Sequence, residues 1–298
     1  RLSKPNQGEA MTVNPPYLRP NHDNSLPCVI IIGGTSGIGL ALALAHLKMR
    51  WQVIVVGSNP NKIAQLNQQQ PELTTIQCDI TQVEQRNALF TRLAQQPFKR
   101  LIYSAGWYLN ERVFTLDKAA SARILGVNLQ AFHAVFDWAS QQLIANKSQG
   151  RTSTYNDNKH NDAKRYDNDP ALVCLSSIAG VLDYPYASLY AKCKRAMMVG
   201  ADAYRLALAP FNVQVTCIAS GYIDTQALRD LNDGDASHKP FIVAEEVAVK
   251  RILKAIEENE ALAIFPASMR YLTYGLNKLP TPLLNFLMQR QLDKKRDR

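Results

Sequence analysis

Short apolar runs alternate along the chain with longer stretches whose apolar positions recur every third or fourth residue. The first run, Cys28-Val-Ile-Ile-Ile32, is continuously apolar and mostly β-branched, which predicts a strand buried on both faces of a parallel sheet. Runs at Gln52–Val56, Thr74–Cys78, Lys99–Tyr103, Ala171–Leu175, Val213–Ile218 and Ala261–Phe265 predict six more strands. Helical spacing covers Leu40–Met49, a segment from Thr81 to about Gln96, and a segment from Asp117 that includes the apolar stretch Ile124–Ile144. It recurs over Tyr190–Ala209 and Ala244–Glu260. Thr81-x-x-Glu84 predicts a capping box at the second of these helices. Strands alternating with helices in this order predict an α/β fold: one doubly wound, Rossmann-like parallel sheet of about seven strands, with helices on both faces.

The pattern breaks in three places. Residues 1–26 are rich in Pro and Asn and predict a flexible N-terminal arm. Residues 146–170 contain no Val, Ile, Leu, Phe or Met, so they predict a polar surface insertion within a single catalytic domain spanning 27–268. Residues 269–298 predict an apolar and basic tail. There Leu279, Leu283, Leu284, Leu287 and Met288 cluster at helical spacing, and Pro280 and Pro282 suit a helix's first turn. The tail is expected to pack on the body or on a second subunit of a homo-oligomer, with a membrane-surface helix as the rival reading.

Charge sharpens this picture. The net charge is +9, but Arg270–Arg298 alone holds seven Lys/Arg against two Asp. A nucleic-acid-binding body would carry its excess on the main domain, so no nucleic-acid partner is expected. The five cysteines, at 28, 78, 174, 193 and 217, lack metal-like spacing and read as buried thiols of a reducing compartment; no metal site is expected. No apolar run reaches the ~18 residues that would cross a bilayer, and no signal-peptide pattern is visible. The expectation is a cytoplasmic protein.

Two motifs carry chemistry. After the first strand comes Gly33-Gly-Thr35-Ser36-Gly37-Ile38-Gly39, and then a helix. A helix N-terminus offers free N–H groups and the positive end of its dipole to a phosphate, and glycines let the backbone approach it. At the end of the second strand, Gly57 carries no carboxylate, while Ser58 and Asn59 offer neutral donors. An acidic residue there would repel a ribose 2′-phosphate, so the sequence tilts towards NADP(H) over NAD(H). The second motif is Ser176-Ser177 at a strand end, followed by Tyr190 and Lys194. Residues four apart are neighbours on a helix, and an ammonium beside a phenol would lower its pKa from ~10 and ready it for proton transfer. Tyr-x-x-x-Lys also occurs at Tyr155/Lys159 and Tyr274/Lys278, but neither copy opens a helix after a strand. Asn128, inside an apolar helical stretch, should have a hydrogen-bond partner.

Taken together, these residues resemble the short-chain dehydrogenase/reductase family in its single-domain branch, over roughly Cys28 to Phe265. The resemblance implies that Gly33, Thr35, Ser36, Gly37, Ile38 and Gly39 hold the cofactor, with Ser58 and Asn59 near the ribose and Asp79-Ile80 at the adenine. It also implies cofactor contacts from Ser104-Ala105-Gly106, Tyr190, Lys194, Gly221, Ile223 and Thr225. Asn128, Ser177, Tyr190 and Lys194 match the family's catalytic tetrad. Three positions depart from the pattern: Ile32 stands for Thr, Ser104 for Asn and Ser220 for Pro. Each loosens the cofactor frame without removing chemistry.

The activity implied is hydride transfer between NADP(H), or NAD(H), and the carbonyl or secondary alcohol of a small, apolar substrate. Tyr190 would move the proton, Ser177 would bind the substrate oxygen, and Lys194 would lower the Tyr190 pKa and bind the ribose. Asn128 would help hold a relay water. Trp107, Tyr108, Leu182, Tyr184 and Tyr186 follow strand ends and are candidates to line the pocket. Two other readings stand beside this one: a nucleotide-binding regulatory or scaffold protein without turnover, and a reductase of carrier-bound acyl groups.

Overall fold

The structure, a computed structural model, describes residues 26–108, 117–148, 169–185 and 187–294. Its strands are β1 (Cys28–Ile32), β2 (Gln52–Gly57), β3 (Thr74–Gln77), β4 (Arg100–Tyr103), β5 (Ala171–Leu175), β6 (Gln214–Ser220), β7 (Ile223–Asp224), β8 (Val243–Ala244) and β9 (Leu262–Phe265). The helices are α1 (Gly37–Lys48), α2 (Pro60–Gln69), α3 (Val83–Leu93), α4 (Lys118–Leu125), α5 (Ala131–Ser148), α6 (Leu189–Leu208), α7 (Gln226–Asp230), α8 (Glu245–Glu257), α9 (Ala267–Asn277) and α10 (Thr281–Lys294). Seven strands form one sheet in the order β3-β2-β1-β4-β5-β6-β9, and every pairing is parallel. This is the expected doubly wound sheet. A separate two-stranded ladder, β7 with β8, was not legible in the pattern.

Alternation along buried strands builds two cores. Ile30, Ile32, Leu101, Tyr103 and Leu172 face α5 and α6, where they meet Phe132, Phe136 and Met197. Val29, Ile31, Val53, Ile102 and Val173 face α1 and α8, against Leu42, Ala248 and Ile252. Each fully buried aliphatic side chain contributes about 1.5–3 kcal/mol, so the central strands are mostly apolar, with Arg100 of β4 and Thr216 of β6 among the buried polar exceptions.

The strand order reverses between β1 and β4, both of which end in glycine-bearing turns. In open α/β sheets a crevice lies outside the carboxyl ends of the strands at such a point. Backbone hydrogen bonds tie the ends together there. Gly33 N–H donates to Val56 C=O at 2.8 Å, and Ser104 N–H donates to Ile32 C=O at 2.8 Å. These bonds fasten the turn that Ile32, lacking a hydroxyl, cannot.

Several expectations need correction. Thr81 is not part of a capping box: its N–H and hydroxyl both go to Asp79 Oδ1, at 3.0 and 2.7 Å. Gln82 precedes the helix instead, and Gln85, not Glu84, reaches back to accept from the Asp79 N–H at 2.8 Å. The polar segment expected over 146–170 is shorter within the described residues. Helix α5 runs to Ser148, Asn146 is buried, and Pro170 C=O accepts from Gln214 N–H at 2.8 Å. The remainder of that segment, the arm before residue 26 and Tyr186 lie outside the described residues. The boundary expected at 268/269 falls inside α9, whose Met269 and Thr273 are buried against the body.

Candidate active site

At Gly33 in the β1–α1 turn and at Gly39 in the first turn of α1, a side chain would collide with neighbouring backbone. A Cβ on Gly33 would lie 2.5 Å from Ala105 N, and one on Gly39 would lie 2.3 Å from Gly33 O and 2.8 Å from Ser104 Oγ. The glycine turn and the Ser104-Ala105-Gly106 turn therefore pack backbone to backbone, as the motif's spacing predicts. Gly37 is glycine for a different reason. Its φ is +53°, and beyond it lies open space, the nearest neighbour being Thr225 Cβ at 4.0 Å from a built Cβ. Ser36 caps α1 in position but makes no side-chain cap hydrogen bond. An uncapped helix start, a glycine backbone facing open space and Thr225 across the gap form a cradle suited to a phosphate-bearing cofactor.

Beside it, Gly57 has a structural reason to be glycine. A Cβ there would meet Thr35 Oγ1 at 2.4 Å. Asn59 commits its carbonyl oxygen to capping α2, accepting from Lys62 N–H at 3.1 Å, which leaves its Nδ2 donors. Lys62, in the first turn of α2, is a cation near the β2 end that the strand-end pattern does not mark. Asp79 spends Oδ1 on Thr81, and Ile80 is buried. Thr225 caps α7, its Oγ1 accepting from Leu228 N–H at 3.2 Å. Gly221 N–H donates to Phe265 C=O at 2.8 Å, which fixes the start of the segment that carries Ile223.

The four tetrad candidates converge below this cradle. Ser177 follows β5 and accepts from Ala179 N–H at 3.2 Å. Tyr190 sits in the first turn of α6, where Ser188 caps the helix. Burial pushes the Tyr190 phenol above its ordinary value, and a hydrogen bond with the Ser177 hydroxyl pulls against that without winning. Lys194 is one helical turn further on and is buried. Its ammonium donates to Leu175 C=O at 3.0 Å and lies 5.8 Å from the Tyr190 ring centre. Burial holds the Lys194 ammonium below the usual lysine range. The lysine is turned to the strand-end carbonyl, and Ser177 is the group that favours the phenolate.

Asn128 occupies a π-helical turn, Gly126–Gln130, between α4 and α5. Such turns loosen a helix's own hydrogen-bond ladder and are frequent at functional sites. Here Val127 C=O accepts from the buried Tyr103 hydroxyl at 2.5 Å. The Asn128 amide donates to Trp107 C=O at 2.7 Å and accepts from Trp107 N–H at 3.2 Å. A Cβ on Gly106 would lie 3.4 Å from both Asn128 Oδ1 and Lys194 Nζ, so this glycine keeps the space beside the lysine open.

A cleft of about 180 Å³ lies among Ser104, Gly106, Tyr190, Lys194, Ser220 and Ile223. Tyr108 stands edge-on to Tyr190 with ring centres 4.9 Å apart, so one expected pocket residue does meet the phenol. A larger hollow of about 350 Å³ lies outside α1, between Gly37, Arg229 and Glu245, and touches no tetrad candidate. The smaller cleft is the one where proton-transfer groups meet the glycine turn. Among the described residues no cluster of His, Cys, Asp and Glu could hold a metal ion.

The family model for short chain dehydrogenase matches residues 27–152 and 167–236, more than half of the chain, and its match breaks inside the polar segment before β5. The chain is 42% identical over 62 residues to the uncharacterized oxidoreductase DltE of Bacillus subtilis, a match that spans 21% of this chain and only 25% of that relative's length. It is 24% identical over 209 residues to the 3-oxoacyl-[acyl-carrier-protein] reductase MabA of Mycobacterium tuberculosis, spanning 69% of this chain and 72% of MabA. Its fold matches the solved structure of ElxO with NADP bound at a TM-score of 0.67 and 18% identity, covering 83% of this chain and 99% of ElxO.

Proposed function

The chain belongs to the short chain dehydrogenase family, and from that premise we propose that it is an NAD(P)-dependent oxidoreductase acting on the carbonyl or secondary alcohol of a small, apolar substrate. The observation that carries this reading is the meeting of Tyr190 and Lys194 at a cleft that Ile38 of the glycine motif also lines, with Ser177 hydrogen-bonded to the phenol. The cradle of Gly33, Ser36, Gly37, Gly39 and Thr225 fits a dinucleotide, which, when bound, supplies or accepts the hydride.

The chain's own residues do the rest. Tyr190, held as a phenol by its burial, donates its proton to a carbonyl oxygen in the cleft. Ser177 hydrogen-bonds the same oxygen and the phenol, so it serves both partners of the transfer. Lys194, now bonded to Leu175 C=O, is placed to turn towards a cofactor ribose. Asn128 holds the Gly106–Trp107 turn that walls the cleft. Ile38, Tyr108 and Ile223 give the cleft an apolar side opposite the polar groups of Ser104, Ser176, Lys194 and Ser220.

A preference for NADP(H) is supported by three features of the β2 end: Gly57 without a carboxylate, the neutral donors Ser58 and Asn59, and Lys62 one turn on. A second reading, reduction of carrier-bound 3-oxoacyl groups, draws on the likeness to MabA. Binding of NADPH and NADH by calorimetry, followed by turnover of a ketone panel that includes acetoacetyl-CoA, tests both readings. Cofactor binding without turnover of any substrate would favour a regulatory role instead.

A further inference from the structure

After β9 come two helices that each carry both buried and exposed apolar side chains. Met269 and Thr273 of α9 and Leu284 of α10 are buried. The same helices carry Tyr271, Tyr274 and Phe286, exposed to 73%, 61% and 58%, together with exposed Leu272, Leu283 and Leu287. Tyr271, Tyr274 and Lys278 recur at three and four residues, as do Leu283 and Leu287, so each set lies along one helix face. The expected packing of the tail on the body therefore accounts for only part of its apolar surface. Large exposed apolar side chains gathered on two successive helices point to an interaction site.

The chemistry around it selects the partner. The Lys278 ammonium stands 4.4 Å over the Tyr274 ring, and Arg270 is exposed one residue before Tyr271. From Arg270 to the end of the sequence there are seven Lys/Arg against two Asp. A second copy of this face would bring like charge against like charge. An anionic lipid surface instead neutralises the cations, takes tyrosines at headgroup level and accepts Phe and Leu below it. No helix among the described residues is long and apolar enough to cross a membrane, which fits a helix pair that lies on the surface.

We propose that the exposed face of α9 and α10 docks on an anionic lipid surface. The face is joined to the candidate active site through one short element, since a Cβ on Gly221 would lie 3.1 Å from Pro266 Cδ and 3.6 Å from Met269 Cγ. Docking thus brings the cleft close to the lipid, where apolar substrates concentrate.

Co-sedimentation of the full chain with phosphatidylcholine vesicles, with and without about one third phosphatidylserine, tests this. The chain should pellet with the anionic vesicles, not with phosphatidylcholine alone, and should be released by about 0.5 M salt. Replacing Tyr271, Tyr274 and Phe286 together by Ser should weaken partitioning by about tenfold or more. Lys278→Glu alone should weaken it by several-fold. Both variants should keep the parent's thermal unfolding, because the altered side chains are exposed. Absence of pelleting, equal pelleting of the triple variant, or a dimer mass that the triple variant loses without any lipid binding would overturn the proposal.

Discussion

Asn128 clamps Trp107 by both of its backbone groups, donating to its carbonyl at 2.7 Å and accepting from its N–H at 3.2 Å. Asn128 is itself fully buried within the π turn. A residue that the sequence marks only as a polar oddity in an apolar helix thus shapes the wall of the cleft. Asn128→Ala should destabilise the fold by about 1–3 kcal/mol, the cost of stranding buried hydrogen-bonding groups. Asn128→Asp should not rescue it, because a carboxylate would face the Trp107 carbonyl oxygen. Urea unfolding of both variants measures this, and a neutral Asn128→Ala would show that the clamp is incidental.

The ionisation of Tyr190 gives a second expectation. Burial raises its pKa and the Ser177 hydrogen bond lowers it, with a net upward shift. The phenol is therefore protonated throughout the neutral range. Ketone reduction, which needs the phenol, should hold its rate across neutral pH. Alcohol oxidation, which needs Tyr190 to accept a proton, should rise as pH climbs past the ordinary phenol value of ~10. Ser177→Ala should move that alkaline limb higher still, and by more than Lys194→Met does. Tyrosinate absorbance of the parent minus that of Tyr190→Phe reads the same shift in the ligand-free protein. Ionisation near neutral pH would contradict it.

Burial of His46 is expected to weaken the fold in acid. It is completely buried, its Nδ1–H donates to Leu42 C=O at 2.7 Å, and its Nε2 accepts from Arg100 Nη1 at 2.9 Å. Burial, with the Arg100 charge adding to it, pulls its pKa from 6.5 down to about 3. Below 6.5 the unfolded chain binds a proton that the folded protein refuses, so stability falls as pH drops from 6.5 towards 3. At pH 4.5 the loss amounts to about 3 kcal/mol. His46→Gln keeps a donor and an acceptor but cannot take up the proton. Its urea-derived stability should change less between pH 7 and pH 4.5 than the parent's. Parallel declines would show that His46 is not the cause.

Cofactor choice can be altered at the β2 end. Gly57→Asp would be a poor probe, because its Cβ would collide with Thr35 Oγ1 at 2.4 Å. Ser58 is exposed and free of that clash. Ser58→Asp places a carboxylate where a 2′-phosphate is expected, and should shift the NADPH/NADH ratio of kcat/KM by about tenfold towards NADH. An unchanged ratio would mean that the phosphate is not held there.

The strands and the glycine turn were legible because burial on two faces demands apolar runs such as Cys28–Ile32, and close backbone packing demands Gly33 and Gly39. What escaped the sequence depends on partners distant in the chain. His46 and Arg100 are 54 residues apart, and neither position hints at the other. The π turn around Asn128 relies on Tyr103 and Trp107, about twenty residues upstream, and no local propensity announces it. Spacing sets Tyr190 and Lys194 side by side on α6, but it does not say that the ammonium turns to Leu175. The Thr81 capping box failed because a nearer carboxylate, Asp79, captured the hydroxyl. In the tail, helical spacing located the apolar positions but could not tell which of them the body would leave uncovered.

The most direct test of the account is the Tyr190→Phe variant, read for cofactor affinity and turnover in one preparation. The phenol oxygen acts on the substrate, so NADPH affinity should stay close to the parent's while kcat/KM falls by ~10²–10⁴ or more, the usual worth of general acid–base catalysis. Tyr274→Phe, on an exposed copy of the same Tyr-x-x-x-Lys spacing, and Tyr155→Phe, on the copy outside the described residues, should leave kcat within about twofold. Near-normal turnover by Tyr190→Phe, or its loss in Tyr155→Phe, would contradict the placement of the chemistry at Ser177, Tyr190 and Lys194.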